Sequence, residues 1–236
     1  MAHYEQTYWW HLGRLRIIET FLKKARGQKR GAKILNIGCG TGGTIDTLEH
    51  YGTVDNVDIS DEAIAFVKQK GYKNLTKVSD ITLPFASKTY DVVGAFDVLE
   101  HIEEEVAALE QWKLVLKDDG AIVLTVPAYQ WLWSDHDVSL HHKRRYTISR
   151  LQKAADAAGL RLERKSYAIV FSLPLIVGFR VLNKILGRKG NAETSYVAVP
   201  EFVNKLFTRM LFLEAWTHSH IAFPFGTSVV AILKKK

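Results

Sequence analysis

An α/β fold, a parallel sheet with helices on both faces, is what this sequence predicts, and three observations carry the prediction. Short apolar, β-branched runs alternate with stretches of helical period along most of the chain. One run, Ile34–Ile37, breaks into a loop with glycines at alternate positions, Gly38, Gly40 and Gly42. The 236 residues suffice for one large core with additions, and no internal repeat or low-complexity linker divides them.

The strands expected in order are Ile34–Ile37, Thr53–Asp58, Leu75–Val78, Asp91–Phe96, Ala121–Val126, Leu160–Tyr167 and Thr227–Leu233. Between them, Thr44–Tyr51 can start a helix after the glycines. Ser60 can cap a helix running to Lys70, with Asp61 and Glu62 in its first turn and Gly71 as its stop. Val106, Leu109, Trp112 and Leu116 share one helical face, followed by a turn at Lys117–Gly120. Ser149 with Gln152 reads as a capping box, and Gly159 ends that helix. Past the sixth strand a mostly helical segment, Phe171–Trp216, has a polar break at Gly187–Thr194. Its first part is apolar nearly all round, which predicts burial, with a hydrophobic substrate channel beside it.

Charge and cysteine content narrow the setting. Lys and Arg number 32 against 25 Asp and Glu, a balance that suits phosphates, anionic lipid or an acidic substrate. The single cysteine, Cys39, excludes an internal disulfide and fits a reducing compartment. The first ten residues lack a secretory pattern, and no apolar stretch reaches the ~18 residues needed to span a bilayer. A cytoplasmic location is expected, with the inner face of a membrane as a surface the chain could touch peripherally.

Ligands of open parallel sheets bind beyond the carboxyl ends of the strands, so the strand tips are read together. The first tip is the glycine loop, where backbone can approach a ligand with no Cβ in the way. The second, V-D-N-V-D-I-S, leaves Asp58 able to accept both hydroxyl hydrogens of a ribose, with Ile59 beside it. At the third, V-S-D-I, Asp80 can accept from an adenine amino group while Ile81 flanks the ring. The fourth, A-F-D-V-L-E-H-I, sets Asp97 at the mouth with Glu100 and His101 just beyond. Counting Gly42 as the third glycine, the loop is one residue short of the G-x-G-x-x-G of dinucleotide readers. No Lys-Ser/Thr follows, which argues against a phosphate-gripping loop.

The ordered motifs I-L-N-I-G-C-G-T-G, V-D-I-S, D-V-L-E-H-I, L-K-D-D-G and L-T-V-P-A resemble those of class I S-adenosylmethionine-dependent methyltransferases, of the small-molecule type 11/12 kind, over most of Ile34–Gly159. The resemblance implies a Rossmann-like seven-stranded sheet with the last strand antiparallel, an N-terminal helix and a helical insertion before the last strand. It implies S-adenosylmethionine as cofactor, with Gly38, Cys39 and Gly40 against it, Asp58 and Ile59 at the ribose, Asp80 and Ile81 at the adenine, and Phe96 and Asp97 near the methionine part. The family usually has an acidic residue where this chain has Asn36. An amide there keeps a hydrogen bond but loses a charge-assisted contact to the cofactor's ammonium.

On the acceptor side Glu100-His101 is the first candidate, with His101 able to act as a base near neutral pH; alternatively Leu-Glu-His only starts the next helix, with His101 stacked over the cofactor pocket. The loop after Pro127 is rich in aromatic, histidine and basic residues, and long loops at such positions often carry function. It resembles a W-S-x-H-D and H-x-R-R-Y segment of a small-molecule subgroup. That likeness implies Trp133, His136, Asp137, His142, Arg144, Arg145 and Tyr146 around the acceptor, with His136 a second catalytic candidate. His136, Asp137 and His142 could ligate a metal, but an Asp–His–Arg network ordering the loop is the stronger reading, and no metal is expected. The aromatic stretch from Tyr4 to His11, with Arg14, matches the same subgroup, and a helix there could present Trp10 and Arg14 inward while Trp9 and Ile17 pack on the sheet.

The expected organisation is one methyltransferase domain over residues 1–236: a helical cap (1–30), a cofactor-binding core (31–168), a helical insertion (169–218), and the final strand with a basic tail (219–236). The expected partner is a small, hydrophobic or saccharide-linked acceptor methylated on oxygen or nitrogen. No nucleic-acid partner is expected, because no Asn/Asp-Pro-Pro-Tyr/Phe motif for base methylation follows the fourth strand. A nucleic-acid or protein methyltransferase, and a non-catalytic cofactor binder suggested by Asn36, are the competing readings.

Overall fold

The computed structural model describes residues 7–27, 31–185 and 199–236. Tyr4, Lys29, Arg30 and the polar break at 187–194 lie outside the described residues. Seven strands form one sheet in the order β3-β2-β1-β4-β5-β7-β6. They are β1 (Ala32–Ile37), β2 (Gly52–Asp58), β3 (Leu75–Lys77), β4 (Tyr90–Phe96), β5 (Leu116–Pro127), β6 (Leu160–Ala168) and β7 (Ser228–Lys235). The first five pair in parallel, and β7 runs antiparallel between β5 and β6. The order reverses between β1 and β4, so a crevice opens at their carboxyl ends.

The helices are α1 (Trp9–Arg26), α2 (Ile45–Glu49), α3 (Asp61–Gln69), α4 (Glu105–Val115), α5 (Asp135–Ser139), α6 (Ile148–Ala157), α7 (Ser172–Ile185) and α8 (Glu201–Thr217). Period-2 alternation splits β1 between two cores. Leu35 and Ile37 face a cluster with Leu109 and Trp112 of α4 and Leu151 of α6. Ile34 faces the opposite cluster, with Ile17, Ile18 and Phe21 of α1 and Leu211 of α8. Helices α1 and α8 cross closely at Gly13, where a Cβ would stand 2.0 Å from Leu211. Asn204 of α8 seals the start of α1: its Oδ1 accepts from the Trp9 amide at 2.9 Å and its Nδ2 donates to the Thr7 carbonyl at 2.8 Å.

Three local expectations are corrected. The cap of α6 is Thr147, whose hydroxyl accepts from the Arg150 amide at 3.1 Å, so Ser149 lies inside the helix. Tyr146 is already anchored to the sheet end, its amide donating to the Pro127 carbonyl at 2.8 Å, and the helix starts as soon as that tie ends. Residues Lys117–Gly120 belong to the long strand β5 instead of a separate turn. They bulge opposite Asp91 alone, since Leu116 pairs with Tyr90 and Ala121 with Val92. Helix α7 is not buried all round: Pro174, Leu175 and Gly178 are exposed. Helix α8 also turns large apolar residues outward, among them Phe202, Leu213 and Trp216.

At the end of β6 the carboxylate of Glu214, reaching in from α8, accepts from the Ile169 amide at 2.6 Å and the Val170 amide at 3.0 Å. Ile169 has a left-handed φ of 59°, so this turn depends on the carboxylate that gathers its amides.

Candidate functional site

The glycine loop leaves β1 with left-handed backbone at Gly38 (φ 70°) and Gly40 (φ 51°). A Cβ on Gly40 would meet nothing within 4 Å, so the loop borders open space. From the neighbouring tip, Asp58 holds this edge in place. Its Oδ2 accepts from the Gly40 amide at 2.8 Å and its Oδ1 from the Ser60 amide at 2.9 Å. Each oxygen keeps a second lone pair for a ligand hydroxyl. Ile59 stands beside it, 68 % exposed despite being aliphatic. Asp80 is exposed, and hydrogen bonds from the Thr82 amide and hydroxyl hold its carboxyl below the usual range. Ile81 is half-buried against the core.

Two members of the expected set sit behind the loop. Asn36 is fully buried; its Nδ2 donates to Asn56 Oδ1 at 2.9 Å and to Thr44 Oγ1 at 3.3 Å. It braces β1, β2 and the start of α2, and its Oδ1 has no hydrogen-bond partner among the described residues. The side chain of Cys39 points into a small cluster with Ile45 and Val67, and burial together with the charge of Asp58 pushes its thiol up to about 12.

Helix α1 closes the site from above. His11, Arg14 and Leu15 line a cleft of about 150 Å³ with Gly38–Thr41, Gly43, Thr44 and Phe96. Arg14 Nη2 pairs with Asp97 Oδ2 at 2.6 Å, and Thr125 donates to Asp97 Oδ1 at 3.0 Å. Asp97 itself is left-handed (φ 58°), a conformation its two side-chain partners and its amide bond to the Thr125 carbonyl hold in place. Trp10 is half-buried, with the Arg14 guanidinium 5.5 Å from its ring centroid.

The loop after β5 is an ordered network. Asp137 is fully buried, receiving Arg145 through Nε at 2.7 Å and Nη2 at 2.9 Å, and pairing with His142 Nδ1 at 2.9 Å. Burial works to raise this carboxyl, but the bonds from His142 and Arg145 outweigh it and hold it well below the usual range. Arg144 donates to the Ile102 and Glu103 carbonyls at 2.8 and 2.9 Å. Tyr146 was expected at the acceptor; instead it is fully buried, its hydroxyl bonded to Glu105 at 2.5 Å, because it plugs the core beneath the loop. Trp133 and His136 are half-buried, and burial pushes the His136 imidazole down.

Glu100, paired with His101 as an acceptor-side candidate in the sequence, sits at the base of the site. It is fully buried, both carboxylate oxygens lack a hydrogen-bond partner among the described residues, and burial, then the charge of Asp97, pushes its carboxyl well up. Its signal was present in the sequence as an acidic residue within an apolar turn. A wider surface hollow of about 510 Å³ lies between α4 and α6, where Arg150 pairs with Glu105 at 2.9 Å.

Comparison with known proteins fits this geometry. A family model described as a methyltransferase domain matches residues 35–124. The chain is 28% identical over 106 residues to a ubiquinone biosynthesis O-methyltransferase of Haemophilus ducreyi, covering 40% of this chain and 45% of that protein. It is 29% identical over 122 residues to a sarcosine/dimethylglycine N-methyltransferase of Aphanothece halophytica, covering 48% and 44%. The matched stretches thus span under half the length of these relatives. A solved SAM-dependent methyltransferase from Archaeoglobus fulgidus superposes with a TM-score of 0.59 at 20% identity, over 94% of both chains, which is a likeness of fold.

Proposed function

We propose that this chain is a class I S-adenosylmethionine-dependent methyltransferase, that it methylates an oxygen or nitrogen of a small acceptor, and that residues 1–236 work as one catalytic domain. The observation that carries the reading is the rim itself: a loop edge with no Cβ, fixed by the 2.8 Å bond from the Gly40 amide to Asp58, beside an exposed Ile59. These residues suit an adenosyl ligand. Asp58 would accept the ribose hydroxyls, Ile59 and Ile81 would flank the adenine, and Asp80 would accept from its amino group. Gly38, Gly40 and the Phe96–Asp97 backbone would border the methionine part. When bound, S-adenosylmethionine supplies an already activated methyl group, so the protein's task is alignment, exclusion of water and proton removal.

Helix α1 and the network loop serve that task as walls. Arg144 and Arg145 spend their donors on Asp137, Glu103 and backbone carbonyls, so they do not form a free phosphate-binding surface. That favours a small acceptor over nucleic acid. We place His101 against the acceptor and His136 as the imidazole within reach of its proton; Trp10, Arg14 and Trp133 would shape the cavity. Asp137, His142 and Arg145 would fix that wall from behind. A cytoplasmic location accords with the lone cysteine, and among the described residues no helix is long and apolar enough to cross a membrane.

The test pairs calorimetry with S-adenosylhomocysteine and a methyl-release assay against metabolite pools. Binding with turnover of a small acceptor is the expected result. Binding without turnover on any pool would favour a non-catalytic cofactor binder, and absence of binding would refute the seat.

A further inference from the structure

Beside the cofactor rim, Glu100, His101 and His142 bring a carboxylate oxygen and two imidazole nitrogens within 4.8 Å of one another. We propose that these three side chains bind one divalent first-row transition-metal ion, with coordination left open for an acceptor oxygen. Two imidazoles and one carboxylate are a ligand set for zinc or ferrous iron, and three protein ligands leave room for an exogenous one.

Three independent features support the site. Glu100 lies within the protein at 0 % exposure, yet both its oxygens lack partners among the described residues, an arrangement that is costly unless something completes it. His142 is oriented from behind, since its Nδ1 meets Asp137 at 2.9 Å and Asp137 is itself gripped by Arg145. A carboxylate on the far nitrogen of a metal-binding histidine fixes the ring and aims its Nε2. The His101 and His142 rings stand 4.7 Å apart, edge to face, which directs the nitrogens together without stacking.

The surrounding backbone holds the ligands at this spacing. The Lys143 amide donates to the Glu100 carbonyl at 2.7 Å, tying the histidine-bearing loop to the turn after β4. Ligands of one ion at about 2.1 Å each stand at most about 4.2 Å apart, so a small rotation of the exposed His101 closes the set. Exposure rises from buried Glu100 through His142 to His101, so the cluster opens to solvent on one side and an ion can enter. Its placement next to Asp97 sets it on the acceptor side of the rim. The acceptor-binding part of the inference rests on the reading under Proposed function; the metal site does not.

The experiment strips the full chain with a chelator and titrates it with Co²⁺, followed by Zn²⁺. The expected result is one Co²⁺ per chain with visible d–d absorption, displaced by Zn²⁺. Asp137→Asn should weaken Co²⁺ by about 10–100-fold, the usual effect of losing a residue that orients a ligand. Glu100→Gln and His142→Ala should weaken it further, while each folded variant keeps its affinity for S-adenosylhomocysteine. Should the His142 variant fail to fold, His101→Gln at the exposed end replaces it. Substoichiometric Co²⁺ in the parent chain overturns the proposal. So does Co²⁺ binding that survives both Glu100→Gln and His101→Gln. Co²⁺ binding with no S-adenosylhomocysteine binding would refute the cofactor seat and leave the metal site standing.

Discussion

Replacing Gly40 with alanine separates backbone strain from ligand contact. At φ 51° an L-residue costs roughly 1–2 kcal/mol. For a chain of this size that lowers the melting temperature by about 2–8 °C. Apart from its two chain neighbours, no described residue has an atom within 4 Å of the added methyl, so nothing else in the described fold should respond. The strain is present with and without ligand, and therefore cancels in the dissociation constant. A loss of affinity must then come from the methyl group meeting the ligand itself. We expect the dissociation constant for S-adenosylhomocysteine to rise at least about tenfold, or roughly 1.4 kcal/mol. Gly71→Ala is the control: its φ is 90°, its added methyl also meets nothing, and it lies past the end of α3. Melting curves and calorimetry on the three proteins suffice. If Gly40→Ala and Gly71→Ala lose stability alike and both retain full affinity, the ligand does not sit on this loop.

Three further outcomes follow from the geometry. Asp58→Ala should weaken S-adenosylhomocysteine by about 1–3 kcal/mol, the scale of hydrogen bonds to a charged group, and unchanged calorimetric affinity would remove Asp58 from the ribose. Glu214→Ala strands the Ile169 and Val170 amides and should lower stability by about 2–4 kcal/mol in urea titrations; a change under 1 kcal/mol would show that water replaces the carboxylate. The Cys39 thiol, pushed up to about 12, should resist iodoacetamide at pH 8 in the folded chain and react readily in denaturant, as read by mass spectrometry.

What could be read in advance was what depends on neighbours in sequence. Strand positions followed from apolar runs, and Ser60 caps α3 as expected, accepting from the Ala63 amide at 3.1 Å. Loop glycines proved a weaker signal than they looked. Gly43 completes the dinucleotide spacing as well, so the choice of cofactor rests on the later strand tips and the relatives. Tyr146 was assigned to the acceptor by motif, yet motif position does not reveal which way a side chain is buried. Long-range partners were invisible for a related reason. Asn204 meets Trp9 across 195 positions and Glu214 meets Ile169 across 45, and no local pattern marks either pairing. Nor did spacing reveal that His142 would return to Glu100.

The clasp between Gly13 and Leu211, sealed by Asn204, has a consequence for biosynthesis. On the ribosome the strands carrying the glycine loop and Asp58 emerge well before α8 does. The nascent chain therefore holds an exposed rim while its first helix waits, apolar face uncovered, for a partner nearly two hundred codons away. Chaperone contact or early aggregation should concentrate in that interval, and free cofactor in the cell would meet the rim before its roof is secured.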